Sequence, residues 1–327
     1  MKFTNSRSLI ASMAMVMACA CALPARAQDG YPNRPIRMVL GFAAGGGTDV
    51  IARALANKMG EILKQPVIID NKSGANGNIA AETVAKAPSD GYTLLYNTSG
   101  VAISPGLYSK LGYDISKDLA PVSLTANLPL ILVVAKRLNV ESAQQFVDLL
   151  KTKPGAHNYG SAGNGNITHL AALLFLQATE TTATHVPYRS EAPAVADLAS
   201  GQVDFYLGTA PGVIPMIKGG RIRALAVSAL KRMDSMPELP TLSETVANGL
   251  ELGAWSGIMA PAGTSPDIIN KINAAVAEAI KDKALINAFA AQGAEPKHNT
   301  PAQYGDFMQT ELKRWNQVIR ANHVSID

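Results

Sequence analysis

The run Gly41-Phe42-Ala43-Ala44-Gly45-Gly46-Gly47-Thr48-Asp49 decides the fold. An apolar stretch, Ile36 to Leu40, leads into it with strand character. Ile51, Ala54, Leu55, Met59 and Ile62 lead out of it on one face of a helix. Strand, glycine-rich turn and helix together aim free backbone N–H groups and the positive end of a helix dipole at one point. Glycine lets a ligand reach that backbone without meeting a Cβ. Two nucleotide readings fail on spacing. Gly47 stands where a P-loop needs its lysine, and G-x-G-x-x-G is not met from Gly41. A small-anion site and a turn that merely packs a helix on a sheet both fit this stretch taken alone.

The chain repeats the idea further on. His157 to Ser161 reads as a strand, Ala162-Gly163-Asn164-Gly165-Asn166 as a glycine-rich turn, and Ile167 to Gln177 as a helix. Ile167, Leu170, Ala171 and Leu174 give that helix a buried face, with Asn166 or Thr168 as its cap. Two such helix starts, one in each half, point to two lobes facing one ligand.

Before the first strand, Met1 to Ala27 has the form of a signal peptide. Lys2 and Arg7 are its basic region, Leu9 to Ala18 its apolar region, and Ala25-Arg26-Ala27 its cleavage pattern, with Gln28 as the new N-terminus. The apolar run is shorter than the ~20 residues a membrane span needs. Val16-Met17-Ala18-Cys19 offers a lipoprotein alternative, with an anchor at Cys19. Cleavage after Ala27 leaves 300 residues (327 − 27) and removes both cysteines, Cys19 and Cys21. It also removes Lys2, Arg7 and Arg26, so the net charge falls from +4 to +1 (4 − 3). A nearly neutral chain gives no global electrostatic argument for nucleic acid, and without cysteine there is no thiolate metal site or nucleophile.

Strand-like and helix-like segments alternate throughout, the pattern of an α/β fold. Val67 to Asp70 is read as a strand followed by an Asn/Gly turn, and Ile79 to Lys86 as a helix. The strand Tyr92 to Tyr96 runs into Asn97-Thr98-Ser99-Gly100. Small polar residues just past a strand's C-terminal end fit a ligand site or an ordinary turn. Leu119 to Ala135 reads as one long strand leaving a first lobe for a second, and Trp255 to Ala260 as the return. That places lobe 1 at 28–124 and 254–327, and lobe 2 at 125–253. Helices at Pro266 to Lys281 and Pro301 to Asn322 close the chain.

Catalytic signatures are sparse. Gly160-Ser161-Ala162-Gly163 is one residue short of a nucleophile elbow, and the five histidines show no metal spacing. A lone first-turn histidine such as His169 is usually a packing or hydrogen-bonding residue. The rival reading is an exported hydrolase or lyase acting on a carboxylic acid derivative through Ser161, His169 and Asp204. Binding without turnover is the expectation.

The chain resembles the substrate-binding receptors of tripartite tricarboxylate transporters, the Bug family. The likeness rests on Tyr31-Pro32-Asn33-Arg34-Pro35-Ile36, on Ala43-Ala44-Gly45-Gly46-Gly47-Thr48-Asp49, and on Asp70-Asn71 with Gly77-Asn78-Ile79-Ala80-Ala81-Glu82. It continues through Asp90-Gly91-Tyr92-Thr93-Leu94-Leu95, Ser161-x-Gly163-x-Gly165 with Thr168-His169-Leu170, and His185-Val186-Pro187-Tyr188-Arg189. Ala192-Pro193-Ala194, Gly201-Gln202-Val203-Asp204, Pro240-Thr241-Leu242-x-Glu244 and Ala260-Pro261-Ala262-Gly263-Thr264 complete it.

The resemblance implies a two-lobed periplasmic-binding-protein fold of the Venus flytrap, type II-like kind, each lobe a mostly parallel sheet flanked by helices. It implies a periplasmic monomer that clamps a small carboxylate through backbone amides and passes it to the membrane subunits of such a transporter. No cofactor, metal or nucleic acid is expected. The expected ligand-binding set is Phe42, Gly45, Gly46, Gly47, Thr48, Asp49, Ser99, Ser161, Ala162, Gly163, Asn164, Asn166, His169 and Asp204. Gly41, Asn166, Lys72-Ser73 and Ser190 depart from the common family pattern. The ligand is therefore open among dicarboxylates, tricarboxylates, amino acids and aromatic acids.

Overall fold

A computed structural model describes residues 30–326. The expected signal peptide, its expected cleavage site and both cysteines lie outside the described residues. Residues 30–33 carry no regular element. From Arg34 onward the elements run β1 (Ile36–Leu40), α1 (Gly47–Leu63), β2 (Val67–Asn71), α2 (Asn78–Ala85), β3 (Thr93–Thr98), α3 (Gly100–Leu107), α4 (Ile115–Asp118) and β4 (Leu119–Ala135). They continue with α5 (Ala143–Thr152), β5 (Asn158–Ser161), α6 (Ile167–Ala178), β6 (Thr184–Pro187), α7 (Glu191–Ser200), β7 (Phe205–Thr209), α8 (Ala210–Lys218) and β8 (Ile222–Val227). The last are α9 (Leu242–Thr245), β9 (Gly253–Pro261), α10 (Pro266–Ala279), α11 (Lys283–Ala291), β10 (Glu295–Pro296) and α12 (Pro301–Ala321).

Two half-sheets share one long strand. In the first lobe the order is β2-β1-β3-β9-β4, with β1 parallel to both β2 and β3. In the second, β5 lies between β6 and β7 and is parallel to both. β4 belongs to both lobes: Leu119 to Pro129 pairs with β9, and Leu130 to Ala135 with β7 and β8. The pairings of β9 with β3 and β4, and of β4 with β7 and β8, are antiparallel. Parallel pairing is thus confined to the outer strands of each half. The long stretch interrupted in sequence by Asn127-Leu128-Pro129 stays one strand, since Pro129 still holds a register partner in Gly253.

The topology makes β1 and β5 equivalent. Each is the first strand of its set and lies between the next two, so the chain reverses its direction of winding at its C-terminal end. Open α/β sheets bind ligands at that crevice. β1 is apolar because it is covered on both faces; Ile36, Met38, Val39 and Leu40 are fully buried.

Each lobe has its own core, and α6 touches both. Ala171, Ala172 and Phe175 pack in the second lobe with Phe146 and Phe205, while Leu170 packs with Trp255, Trp315 and Leu107 of the first. Behind the first lobe, Glu311 of α12 is a buried carboxylate. Its Oε2 accepts from Trp255 Nε1 at 2.7 Å and from Trp315 Nε1 at 2.9 Å. A buried carboxylate of this kind needs donors around it.

Candidate functional site

The glycine loops after β1 and β5 face each other across a cavity of about 450 Å3. The first lobe supplies Gly41, Phe42, Ala43, Ser73, Gly74, Ala75, Asn76, Leu107 and Tyr108 to its lining. The second supplies Ala162, Asn164 and Asn166, and Ile326 adds its side near the end of the chain. None of these thirteen residues carries a charge. What the surroundings supply is direction: α1, α2, α3 and α6 all begin at loops that line this space or adjoin it. Their N-termini add positive potential and unpaired N–H groups without any cationic side chain.

The first loop is held by Asp49. Its Oδ2 accepts from Gly45 N–H and from Arg53 Nε, both at 2.9 Å, and its Oδ1 accepts from Asn71 Nδ2 at 2.8 Å. Asn71 Nδ2 also donates to the Phe42 carbonyl at 2.9 Å. Burial pushes the Asp49 pKa up, but the donors Arg53, Gly45 and Asn71 outweigh it and hold the carboxyl below its ordinary value. Asp49 therefore ties the loop to β2 and α1, and its oxygens are already engaged. Gly46 is the residue before α1 and has no side chain to cap it. A Cβ added to Gly47 would lie 3.0 Å from Gln292 Oε1 and 3.4 Å from Pro211 Cγ.

The second loop is held by a small network. Asn166 caps α6: its Oδ1 accepts from Thr168 N–H at 3.0 Å and from the Thr168 hydroxyl at 3.1 Å, leaving Nδ2 as a donor. Thr168 Oγ1 accepts from Ala162 N–H at 2.9 Å. His169 Nδ1 accepts from Gly165 N–H at 3.1 Å, which puts the ring proton on Nε2. The His169 ring stacks on His185, 3.8 Å between centroids, and His185 stacks on Tyr159 at 4.9 Å. Burial, with a smaller contribution from neighbouring His185, pushes the His169 pKa down to about 3; burial pushes His185 down to about 4. Both rings are neutral packing pieces under the loop.

The hydrolase constellation is not assembled. Ser161 is fully buried, and its Oγ lies 2.7 Å from His185 Nε2, not from His169. Asp204 precedes β7 at the opposite end of the second sheet. There it accepts from Asn158 N–H at 2.9 Å and pairs with Arg137 at 2.7 Å and with His157 at 3.3 Å. Among the expected site residues, Phe42, Ala162, Asn164 and Asn166 line the cavity. Gly45, Gly46, Gly47, Thr48, Asp49, Ser161, Gly163 and His169 build the loops behind it. Ser99 is buried just before α3, and Asp204 is remote. Gly41, Ala43, Ser73 to Asn76, Leu107, Tyr108 and Ile326 line the cavity without having been in the expected set. Of these, the glycine-rich run after β1 and the Asn/Gly turn after β2 carried a local signal.

A second cavity, about 310 Å3, lies behind the crossing strands beside Trp255 and Glu311. Lys231, Glu251 and two ion pairs, Lys297 with Glu295 at 3.2 Å and Arg314 with Glu311 at 3.5 Å, supply its charge. The glycine loops do not reach it. Among the described residues no helix is long and apolar enough to cross a membrane, and no group of His, Cys, Asp and Glu is placed to hold a metal ion.

Two half-sheets joined by crossing strands, with a neutral, amide-lined cleft between their switch points, define a two-lobed solute-binding protein. Comparison with known proteins gives the family. The model of the tripartite tricarboxylate transporter family receptor matches residues 51–324, and the chain belongs to that family as a solute-binding receptor. It is 36% identical to protein BugT of Bordetella pertussis over 318 residues, 97% of this chain and 98% of that one. Among solved structures it is similar to R. palustris Rpa4515 with adipate (TM-score 0.79, 34% identity, 90% of this chain and 100% of that one). It is also similar to MatC from Rhodopseudomonas palustris with bound malate (TM-score 0.74, 31% identity, 88% and 100%).

Proposed function

We propose that the mature protein works in the periplasm as a monomer, clamps a small carboxylate between its lobes, and hands it unchanged to the membrane subunits of a tripartite tricarboxylate-type transporter. On this reading lobe 1 comprises 28–124 with 254–327, and lobe 2 comprises 125–253. The observation that carries it is the cleft itself, where two equivalent glycine loops and several helix N-termini converge on a space lined by no charged side chain. The adipate and malate held by the two similar structures support the ligand class.

Neutral donors suit a delivery protein. Hydrogen bonds to an ionised oxygen contribute roughly 1.5–3 kcal/mol each, and a few of them, less the ordering cost, reach roughly micromolar affinity. No buried cation remains to hold the anion when the lobes part. The test is a thermal-shift comparison of small carboxylic acids with their primary amides. Acids at ~100 times Kd stabilise by about 2.7 kcal/mol and the matched amides do not. Equal shifts from acid and amide would remove the anion clamp.

A further inference from the structure

We propose that Asn76 is a specificity-determining residue: its carboxamide reads a second, oxygen-bearing group on the acid that the glycine loops hold. The proposal rests on the carboxylate-receptor reading and adds a third loop to the site, the one between β2 and α2.

Four observations converge on this residue. Asn76 lines the cavity between the glycine loops together with Ser73, Gly74 and Ala75. Its side chain makes no hydrogen bond to any other described residue, although the residue is half-buried. Its backbone is left-handed, φ +55°, directly after Ala75 at φ +46°. Such a conformation suits glycine best and asparagine next, and is uncommon for other residues. The backbone alone would be served by glycine, so a carboxamide here is a side chain carried beyond what the turn requires. The loop is also braced. A Cβ on Gly100, at the start of α3, would lie 2.7 Å from the Asn76 carbonyl oxygen and 3.2 Å from its carboxamide. A braced amide beside a cavity is a preorganised donor and acceptor.

The lining chemistry sets the partner's class. Asn76 in the first lobe and Asn164 and Asn166 in the second put carboxamides on both sides of the space, and no acidic side chain lines it. An ammonium group would enter with no counter-charge there. A hydroxyl, keto or second carboxylate oxygen can accept from Asn76 Nδ2. The selected ligand is a small acid with a second oxygen function, in preference to a plain fatty acid or an amino acid. A site built to hydrogen-bond a polar group rejects analogues lacking it far more strongly than an apolar pocket rejects a methylene.

The test is calorimetry on the mature protein with malate, with α,ω-diacids of about four to eight carbons and with the monoacids of equal length, repeated on Asn76→Gly. Glycine keeps the left-handed turn, so the variant folds and melts no lower than wild type. Wild type should favour its best diacid or malate over the matched monoacid by at least ~10-fold, about 1.4 kcal/mol. Asn76→Gly should lose most of that preference, the diacid or malate weakening far more than the monoacid. An unchanged ratio between the two acids, whether both weaken together or neither does, overturns the role of Asn76. If wild type binds none of the acids, the carboxylate-receptor reading falls, and this proposal with it.

Discussion

Gly165 and Leu107 meet where the two lobes touch: a Cβ added to Gly165 would lie 2.3 Å from Leu107 Cδ1, and Gly165 has φ +69°. Leu107 is buried in the first lobe's core and ends α3. Gly165 sits in the loop before α6, where its N–H is fixed by His169. The contact needs a residue without a side chain for two reasons at once, the left-handed backbone and the lack of room.

Gly165→Ala is therefore expected to prop the lobes apart. Ligand affinity should fall by about one to two orders of magnitude, since the closed state becomes the costly one. The left-handed position adds a stability loss of about 1 kcal/mol. Solution scattering should show the compaction on ligand addition in wild type and little of it in the variant. Equal compaction in both would separate Gly165 from closure.

Asp49→Asn should loosen the first loop. The three donors around the carboxylate would meet an amide with one acceptor oxygen, and the unpaired groups cost about 1–3 kcal/mol. The sign of the pH effect follows from the lowered folded pKa. Stability from the ionised group is complete above its ordinary value of 3.8 and is lost as pH falls below that through the folded value. Denaturant melts should show this acid-side slope in wild type and not in Asp49→Asn.

The stacked histidines set a second pH dependence, in a higher window. Both folded values lie below the ordinary 6.5, so the unfolded chain takes up protons first. Stability from this pair is complete above about pH 6.5 and declines as pH falls toward about 4 and then about 3. Protonating His169 at Nδ1 would also break its bond from Gly165 N–H. Proton resonances of both rings should stay at neutral positions at pH 5.5. A ring of this pair titrating near 6.5 would show that it is not buried as described.

Processing is checked separately. Intact mass of the exported protein should place the N-terminus at Gln28; a lipid-modified Cys19 would make the receptor membrane-anchored instead.

The sequence made the architecture legible wherever apolar runs were long. β4 and β9 are bounded apolar stretches, and both glycine loops follow strands whose residues need cover on two faces. Helices α3 and α8 were harder to see, because Pro105 lies inside one and Pro211 and Pro215 inside the other. The helix from Pro266 was legible to its end near Lys281, but α11, capped by the Asp282 side chain accepting from Leu285 N–H, was not read as a separate helix. The site was legible where it is backbone and obscure where it is assembled. Ser161 meets His185 only because β5 and β6 pair in parallel, with Ser161 opposite Pro187. Ile326 reaches the cavity only after the whole chain has returned to the first lobe. Nothing local to either residue announces that meeting.

The chain holds two tryptophans, and both donate to the same oxygen of Glu311. Trp255 lies on β9 opposite Asn127, close to where the strands pass between the lobes, while Trp315 is fixed within α12. A bend of the strands that moved Trp255 relative to α12 would change its distance from a carboxylate that Trp315 keeps in place. Indole emission responds to its surroundings, so such a movement would give lobe motion a label-free optical signal. Opening and closing can be followed in a stopped-flow fluorimeter on the unmodified protein, and Glu311→Gln would identify the charge that tunes the signal.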